Sequence, residues 1–243
     1  MEWRERAFVL AARAHGEAGA VAELLTEGRG RWAAHVAGGA SRRMKPFLQP
    51  GAQAIASYRA RTADNLGSAV LEPVGEGPSA LFDDPLALTG LASAAAVVAG
   101  ALPEREPHPG VFLAFEALAA AFIAPEVWPA VYVRFEMGLL EEMGFGLDLS
   151  CCAATGSADD LAYVSPRTGR AVSRAAGAPY AERLLRLPSF LLGSQAGLGD
   201  GDVGAGLEIT GRFLERDVFG PLNRPLPPAR AWMLDRLAAA GRL

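Results

Sequence analysis

Three cations fall within four positions at Arg42-Arg43-Met44-Lys45, behind Gly38-Gly39-Ala40-Ser41 and ahead of Pro46. The chain's single lysine is among them. A glycine-started loop of this composition can hold the phosphates of a polyanion, because its charges stay solvated until the ligand displaces small counterions. Taken alone, the same triplet is equally a solvated turn. The surrounding charge gives it context: residues 1–75 carry ten Arg/Lys against seven Asp/Glu, and residues 76–243 carry thirteen against twenty. The net charge of −4 therefore divides into a mildly basic front and an acidic back. Binding of nucleic acid through bulk charge is excluded, so any such binding is local, and the asymmetry points to separate modules with different partners.

Other chemistry-bearing residues point away from catalysis. Gly199 to Gly204 reads G-D-G-D-V-G, formally a dinucleotide fingerprint. That motif needs a preceding strand in a βαβ unit, whereas Asp200 and Asp202 would repel a pyrophosphate, so a surface loop is expected. His15, His35 and His108 are scattered, there is no G-x-S-x-G elbow, and no histidine lies close to either cysteine. The carboxylate pairs Asp83-Asp84, Glu141-Glu142 and Asp159-Asp160 are adjacent, which on a helix sends them in different directions. No enzymatic activity and no cofactor are expected.

The elements that must position the basic loop follow from periodicity. Short segments at Phe8–Ala12, Val21–Thr26, Trp32–Val36, Gln53–Tyr58 and Ser68–Val74 are parted by glycine-bearing turns. Five short strands at this spacing in about 75 residues predict an OB-type barrel, a fold suited to single-stranded nucleic acid. After Gly75-Glu76-Gly77-Pro78 the pattern becomes helical, with Asp83-Asp84-Pro85 as a start signal. Helices are expected at about 85–101, 109–123, 126–143, 178–186, 205–219 and 228–240. In the third, Trp128, Tyr132, Phe135, Leu139 and Met143 share one apolar face. A two-stranded element is expected around Ala162–Val164 and Ala171–Val172, too small to be rigid unaided. The fold class is thus α+β: a five-stranded OB-type barrel over residues 1–76, then a mainly α-helical domain over 77–243 with a small two-stranded insertion at about 147–178. The charged N-terminus has no signal-peptide run, the longest apolar stretch (Leu91–Leu102) is too short to span a bilayer, and the two cysteines are adjacent. A soluble cytoplasmic protein is expected.

Several segments resemble the RecO family, the bacterial recombination mediators of the RecF pathway: W-R-E-R-A-F-V-L from Trp3, G-G-A-S-R-R-M-K from Gly38 and L-Q-P-G from Leu48. The resemblance continues with R-F-E-M-G-L-L-E-E-M-G-F-G-L-D-L from Arg134, L-A-Y-V-S-P-R-T-G from Leu161 and F-L-E-R-D-V-F-G-P-L from Phe213. It runs nearly end to end. It implies a non-enzymatic protein that binds and anneals single- and double-stranded DNA, engages the acidic C-terminal tail of single-strand-binding protein, and works with RecR to load RecA, associating with the nucleoid when bound to DNA. On this basis Arg42, Arg43 and Lys45 are the first candidates for phosphate contact, with Arg13, Arg29, Arg31, Arg59 and Arg61 as secondary ones. Trp32 and Tyr58 either stack bases or fill the barrel. For the partner's tail, Tyr132, Phe135 and Leu139 would supply an apolar floor and Arg134 the cation; alternatively the aromatics are core and Arg134 pairs with a glutamate. An RNA-binding or scaffold role for the barrel stands as the alternative. Many family members carry a four-cysteine zinc site. Here Cys152 takes the first position, while Thr155, Ser173 and Ala176 stand at the other three. One thiolate cannot close a tetrahedral site, so no metal is expected and packing around Leu161, Tyr163 and Val164 should hold the hairpin.

Overall fold

Alternation of side chains builds the first part of the fold. In β3 (Gly30–Val36), Gly30, Trp32, Ala34 and Val36 turn inward while Arg31, Ala33 and His35 turn out. The same period runs through β4 (Gln53–Arg59) and β5 (Gly67–Pro73), whereas β2 (Gly19–Thr26) is covered on both faces. β1 (Glu2–His15) is longer than expected. A bulge between Val9 and Ala11 lets its first half pair with β4 and its second half with β2. One strand thereby joins both edges, and the sheet closes as β1-β2-β3-β5-β4, antiparallel except for a short parallel contact of β3 with β5. The expected strand began with the apolar run that follows the polar Arg6; the strand starts at Glu2, with Arg4 and Arg6 on one face and Glu5, partly exposed, on the other. The computed structural model describes residues 1–62, 65–193 and 197–243.

The barrel interior is an aromatic trio in a bed of alanines. Trp3 stacks on Tyr58 at 4.9 Å between centroids, and Trp32 meets both edge-on. Ala20, Ala22, Ala34, Ala54, Ala56 and Ala69 leave room for these rings. Gly67 is required beside them, since a Cβ there would lie 2.4 Å from the Tyr58 ring, and its N–H donates to Tyr58 Oη at 3.0 Å.

α1 (Pro85–Ala101) starts where Asp83-Asp84-Pro85 predicts: Asp84 Oδ1 accepts the N–H groups of Leu86 and Ala87, each at 3.0 Å. α2 (Pro109–Ala121) sets Phe112 and Phe115 against Phe8 at 5.3 and 5.1 Å. Contacts divide the chain into two compact units, Met1–Ala124 with Pro227–Met233, and Pro125–Leu226 with Leu234–Leu243. α1 and α2 thus group with the barrel, while the sequence boundary at residue 76 marks the change from strand to helix.

In the second unit, α3 (Trp128–Glu142) and α5 (Asp202–Phe213) approach closely at Gly206, where a Cβ would lie 2.7 Å from Val133. Glu136 is fully buried and accepts a hydrogen bond from Thr210 Oγ1. α5 begins three residues before the expected start and runs into a π-helical turn at Leu214–Phe219. The small sheet has three strands rather than two: β6 (Leu161–Val164) lies between β7 (Ala171–Ser173) and β8 (Leu185–Arg186). After the single turn α4 (Arg174–Gly177), the helix expected at 178–186 is replaced by a 3-10 turn and β8. The proline at 188 accounts for part of this, because it favours extended backbone just before it. α6 (Pro228–Ala239) ends the fold. Among the described residues no helix is long and apolar enough to cross a membrane.

Candidate functional site

The eight barrel cations named above fall into two groups by what surrounds them. Arg31 is engaged in the structure: its Nε donates to Leu102 O at 2.9 Å, its other nitrogens face Glu23 at 3.0 Å and Glu104 at 3.6 Å, and its side chain is only 15% exposed. Arg29 pairs with Glu5 at 2.7 Å and lies over the Trp3 ring. Arg59 pairs with Glu2 at 2.8 Å, but both side chains are well exposed, so that pair is weak and exchangeable. Arg13, Arg42, Arg43, Lys45 and Arg61 have no ion-pair partner among the described residues. Arg6, on the same barrel, is held by Glu27 and Glu116; its guanidinium pKa is raised, first by hydrogen bonding to Glu27, while Glu27 is lowered by the same contact.

Three of these cations, Arg42, Arg43 and Lys45, are carried on a firmly seated loop. The Gly39 N–H donates to Val36 O, and the Ala40 N–H reaches Ala18 O in the β1–β2 turn, both at 3.1 Å. Gly39 is buried, and a Cβ there would come within 2.6 Å of Ala20 Cβ. A 3-10 turn at Lys45–Leu48 follows, with Leu48 buried beneath it. Arg42, Arg43 and Lys45 project from this frame into solvent. Cross-strand register adds a row: Arg13 pairs with Val21, Val21 with His35, His35 with Ser68, and Ser68 with Arg59. The ring edge of His15 lies 5.9 Å from His35 in the same region. One end of the barrel therefore carries Arg13, Arg59 and two histidines, with the basic loop emerging just after β3.

Trp32 and Tyr58 are in the barrel core, 4% and 2% exposed, and present no face for stacking. The aromatic on the basic loop is Phe47, 40% exposed on the turn that carries Lys45. Sequence reading passed over it because an isolated phenylalanine beside Leu48 looks like core; only the turn's geometry separates the two.

In the second unit, Tyr132, Phe135 and Leu139 are also interior, and none lines a surface groove. Arg134, on the other side of α3, does line one. That cavity, about 730 Å³, has Met137, Gly138, Leu147, Phe190 and Leu191 along it and two carboxylates, Glu141 and Asp148. Arg134 does not pair with a glutamate as the alternative reading had it. It donates to Phe190 O at 2.8 Å and Gly193 O at 3.4 Å and lies over the Phe190 ring. Asp148 is engaged by Arg170 at 3.2 Å and by Ser150, contacts that lower its pKa, Ser150 first. The groove's apolar floor comes from the i+3 and i+4 neighbours of Arg134, not from the face the periodicity marked.

Part of the glycine-rich Gly193–Gly206 stretch, residues 194–196, lies outside the described residues. At its end, Asp202 accepts the Gly199 N–H at 2.8 Å and pairs with Arg186 at 3.0 Å, so this carboxylate serves the helix start.

Beside the small sheet lies one sulfur, Cys152, where the resemblance implies four thiolates. Cys152 Sγ accepts the Ser173 N–H at 3.2 Å and lies 3.4 Å from Ser173 Oγ. Hydrogen bonds from Ser173, then Thr155, pull the thiol down to about 6. Two hydroxyls beside one sulfur do not make a tetrahedral zinc ligand set, and among the described residues no group of three or more His, Cys, Asp or Glu is placed to hold a metal. Arg216 closes the ribbon instead. It donates to Pro166 O and Arg167 O in the β6–β7 turn, pairs with Asp217 through two 2.7 Å contacts, and stacks over Phe213. Leu161 and Val164 are buried as expected, and Tyr163 packs on Gly177.

Comparison with known proteins covers both parts of the fold. The family "Recombination protein O N terminal" matches residues 1–72 and "Recombination protein O C terminal" matches residues 83–225. The chain is 73% identical to the DNA repair protein RecO of Phenylobacterium zucineum and 70% identical to that of Caulobacter sp., over the whole length of each. Against the RecO protein of Rhodospirillum centenum the identity is 52%, over 99% of this chain and 96% of that one.

Proposed function

Because the chain belongs to the RecO family of DNA repair proteins, we propose that it is a non-enzymatic recombination mediator that grips DNA on its barrel and partner proteins on its helices. The observation that carries this is the set of barrel cations, Arg13, Arg42, Arg43, Lys45 and Arg61, that have no ion-pair partner among the described residues, while neighbouring arginines are held by glutamates. Unpaired guanidinium and ammonium groups bind phosphate at little cost in broken contacts, and each neutralised phosphate releases a counterion. Such contacts carry no sequence information, so they suit both single- and double-stranded DNA. Screening of phosphate charge on two strands held by one basic surface lowers their mutual repulsion, which is the physical basis for annealing.

The groove beside Arg134 is where we place the acidic tail of single-strand-binding protein. Apolar side chains of the tail would lie along Met137, Leu147 and Leu191, with a carboxylate on the free edge of Arg134. Glu141, two helical turns from Arg134, disfavours acidic residues at the far end and so sets the peptide's direction. Work with RecR and, through it, RecA, in the cytoplasm on the nucleoid, completes this reading.

The test is strand annealing in the presence of single-strand-binding protein, comparing wild type with Arg42→Ala/Arg43→Ala. The double variant should anneal more slowly and bind DNA more weakly. Equal rates would sink the assignment of the loop. Competition with matched RNA, at the same salt, addresses the RNA-binding alternative.

A further inference from the structure

Between the end of β1 and the basic loop lies a cavity of about 300 Å³ that the phosphate contacts do not explain. Ala12, Ala14, Ala20, Gly39 and Leu48 line it. Arg13 and Lys45 line it too, both without ion-pair partners among the described residues. Gln49 also lines it; its Nε2 donates to Lys45 O at 2.9 Å, which leaves Oε1 as an acceptor. The site is preformed, because the bonds from Gly39 and Ala40 and the close packing of Gly39 on Ala20 fix the loop against β2.

We infer that this cavity receives one unstacked nucleobase of single-stranded DNA, with phosphates on either side of that nucleotide held by Arg13 and Lys45. The inference rests on the nucleic-acid reading of the barrel and adds a base-dependent element to it. Three observations select this occupant. The walls are alanine and glycine, which admit a flat apolar body close to the backbone. Two cations, Arg13 and Lys45, are among the lining residues, which matches a base carried between phosphates and disfavours a cationic or simply apolar ligand. The strand aromatics that would otherwise stack bases are consumed in the barrel core. The volume stands at the lower end of small-molecule sites, about 300 Å³, and so suits one base rather than a stack. A paired base cannot enter, so the cavity discriminates between single and double strands where the basic loop does not.

Filling the cavity without touching a charge separates the two contributions. Ala12 is exposed on β1, so Ala12→Leu is compatible with the strand. With the full-length protein, fluorescence anisotropy would compare a single-stranded oligonucleotide, the same strand built of abasic sites, and the matching duplex. The variant should bind the normal single strand about fivefold more weakly, the lower end of what one seated base contributes. Its affinity for the abasic strand and the duplex, and its dependence on salt, should match wild type. If the normal strand binds the variant as well as it binds wild type, or if wild type does not distinguish normal from abasic strands, the cavity holds no base. Loss of all salt-dependent binding in wild type would instead refute the nucleic-acid reading itself. Ala14→Leu, filling the same wall from two residues away, guards against a local folding defect in the first variant.

Discussion

Removing Arg42 and Arg43 tests whether the partnering pattern on the barrel assigns its arginines correctly. Each phosphate neutralised on a single strand adds about 0.7 to the slope of log affinity against log salt. The five cations without an ion-pair partner among the described residues, Arg13, Arg42, Arg43, Lys45 and Arg61, should set a slope of about −3.5 for wild type. Arg42→Ala/Arg43→Ala should lower it to about −2.1, so that, with equal affinities extrapolated to 1 M salt, the variant at about 0.1 M should bind about 25-fold more weakly than wild type. The comparison is Arg29→Ala/Arg31→Ala. These arginines are bound to Glu5, Glu23, Glu104 and Leu102 O, so their loss should leave the slope near that of wild type. It should instead destabilise the fold, by about 1–3 kcal/mol for Arg31, because Glu23 and the Leu102 carbonyl lose their donor in a mostly buried place. The assay is fluorescence anisotropy of a short single strand over a salt series, with thermal unfolding measured on the same samples. A slope that drops as much in the Arg29/Arg31 variant as in the loop variant would refute the reasoning, since ion-paired and free arginines would then be equivalent toward DNA.

Two further expectations concern the second unit. Charge reversal Arg134→Glu should weaken binding of an acidic, apolar-ended peptide while DNA affinity stays unchanged; Glu141→Gln should strengthen the same peptide at low salt, and opposite signs by calorimetry would refute the groove. For the ribbon, the Cys152 thiol has its folded pKa depressed from 9.0 to about 6, so the associated stabilisation is full above about pH 9 and lost as pH falls through about 6. Thermal unfolding between those values should show that dependence in wild type and a reduced one in Ser173→Ala, and a chelator should leave both melts unmoved.

The barrel was legible because its information is local. Alternation in β3 to β5 and glycine turns specify short strands, and Asp83-Asp84-Pro85 specifies a cap, whatever the rest of the chain does. What could not be read is where a side chain finds its partner. Arg31 and Arg42 look alike in sequence, yet Arg31 meets Glu104 from a segment more than seventy residues away, and Arg42 meets solvent. Tyr132, Phe135 and Leu139 share an apolar helical face, which periodicity marks without saying whether it lies in the core or along a groove. Arg134 stands out in sequence because it breaks that face, and the structure places it along a groove. Its floor, from Met137 and from Phe190 beyond β8, depends on how the chain returns to α3.

The ribbon shows how such long-range partnering can replace a metal. Zinc does two jobs in a four-cysteine site: it joins two knuckles, and it neutralises thiolate charge. Here the jobs are separated. Ser173 and Thr155 supply hydrogen bonds that hold the Cys152 sulfur in a low-pKa state, joining the knuckle at 152–156 to β7. Arg216, from the π-helical turn after α5, holds the far end by capping the Pro166 and Arg167 carbonyls. The π turn is what makes this reach possible, since an extra residue per turn rotates Arg216 away from the α-helical position while Asp217 fixes its guanidinium. β8 pairs with the side of β6 that a two-stranded ribbon leaves open. These contacts brace the sheet at both ends through the protein's own side chains. The cost is acid sensitivity at Cys152 in place of sensitivity to chelation, which is why pH and not metal is the variable that should reveal it.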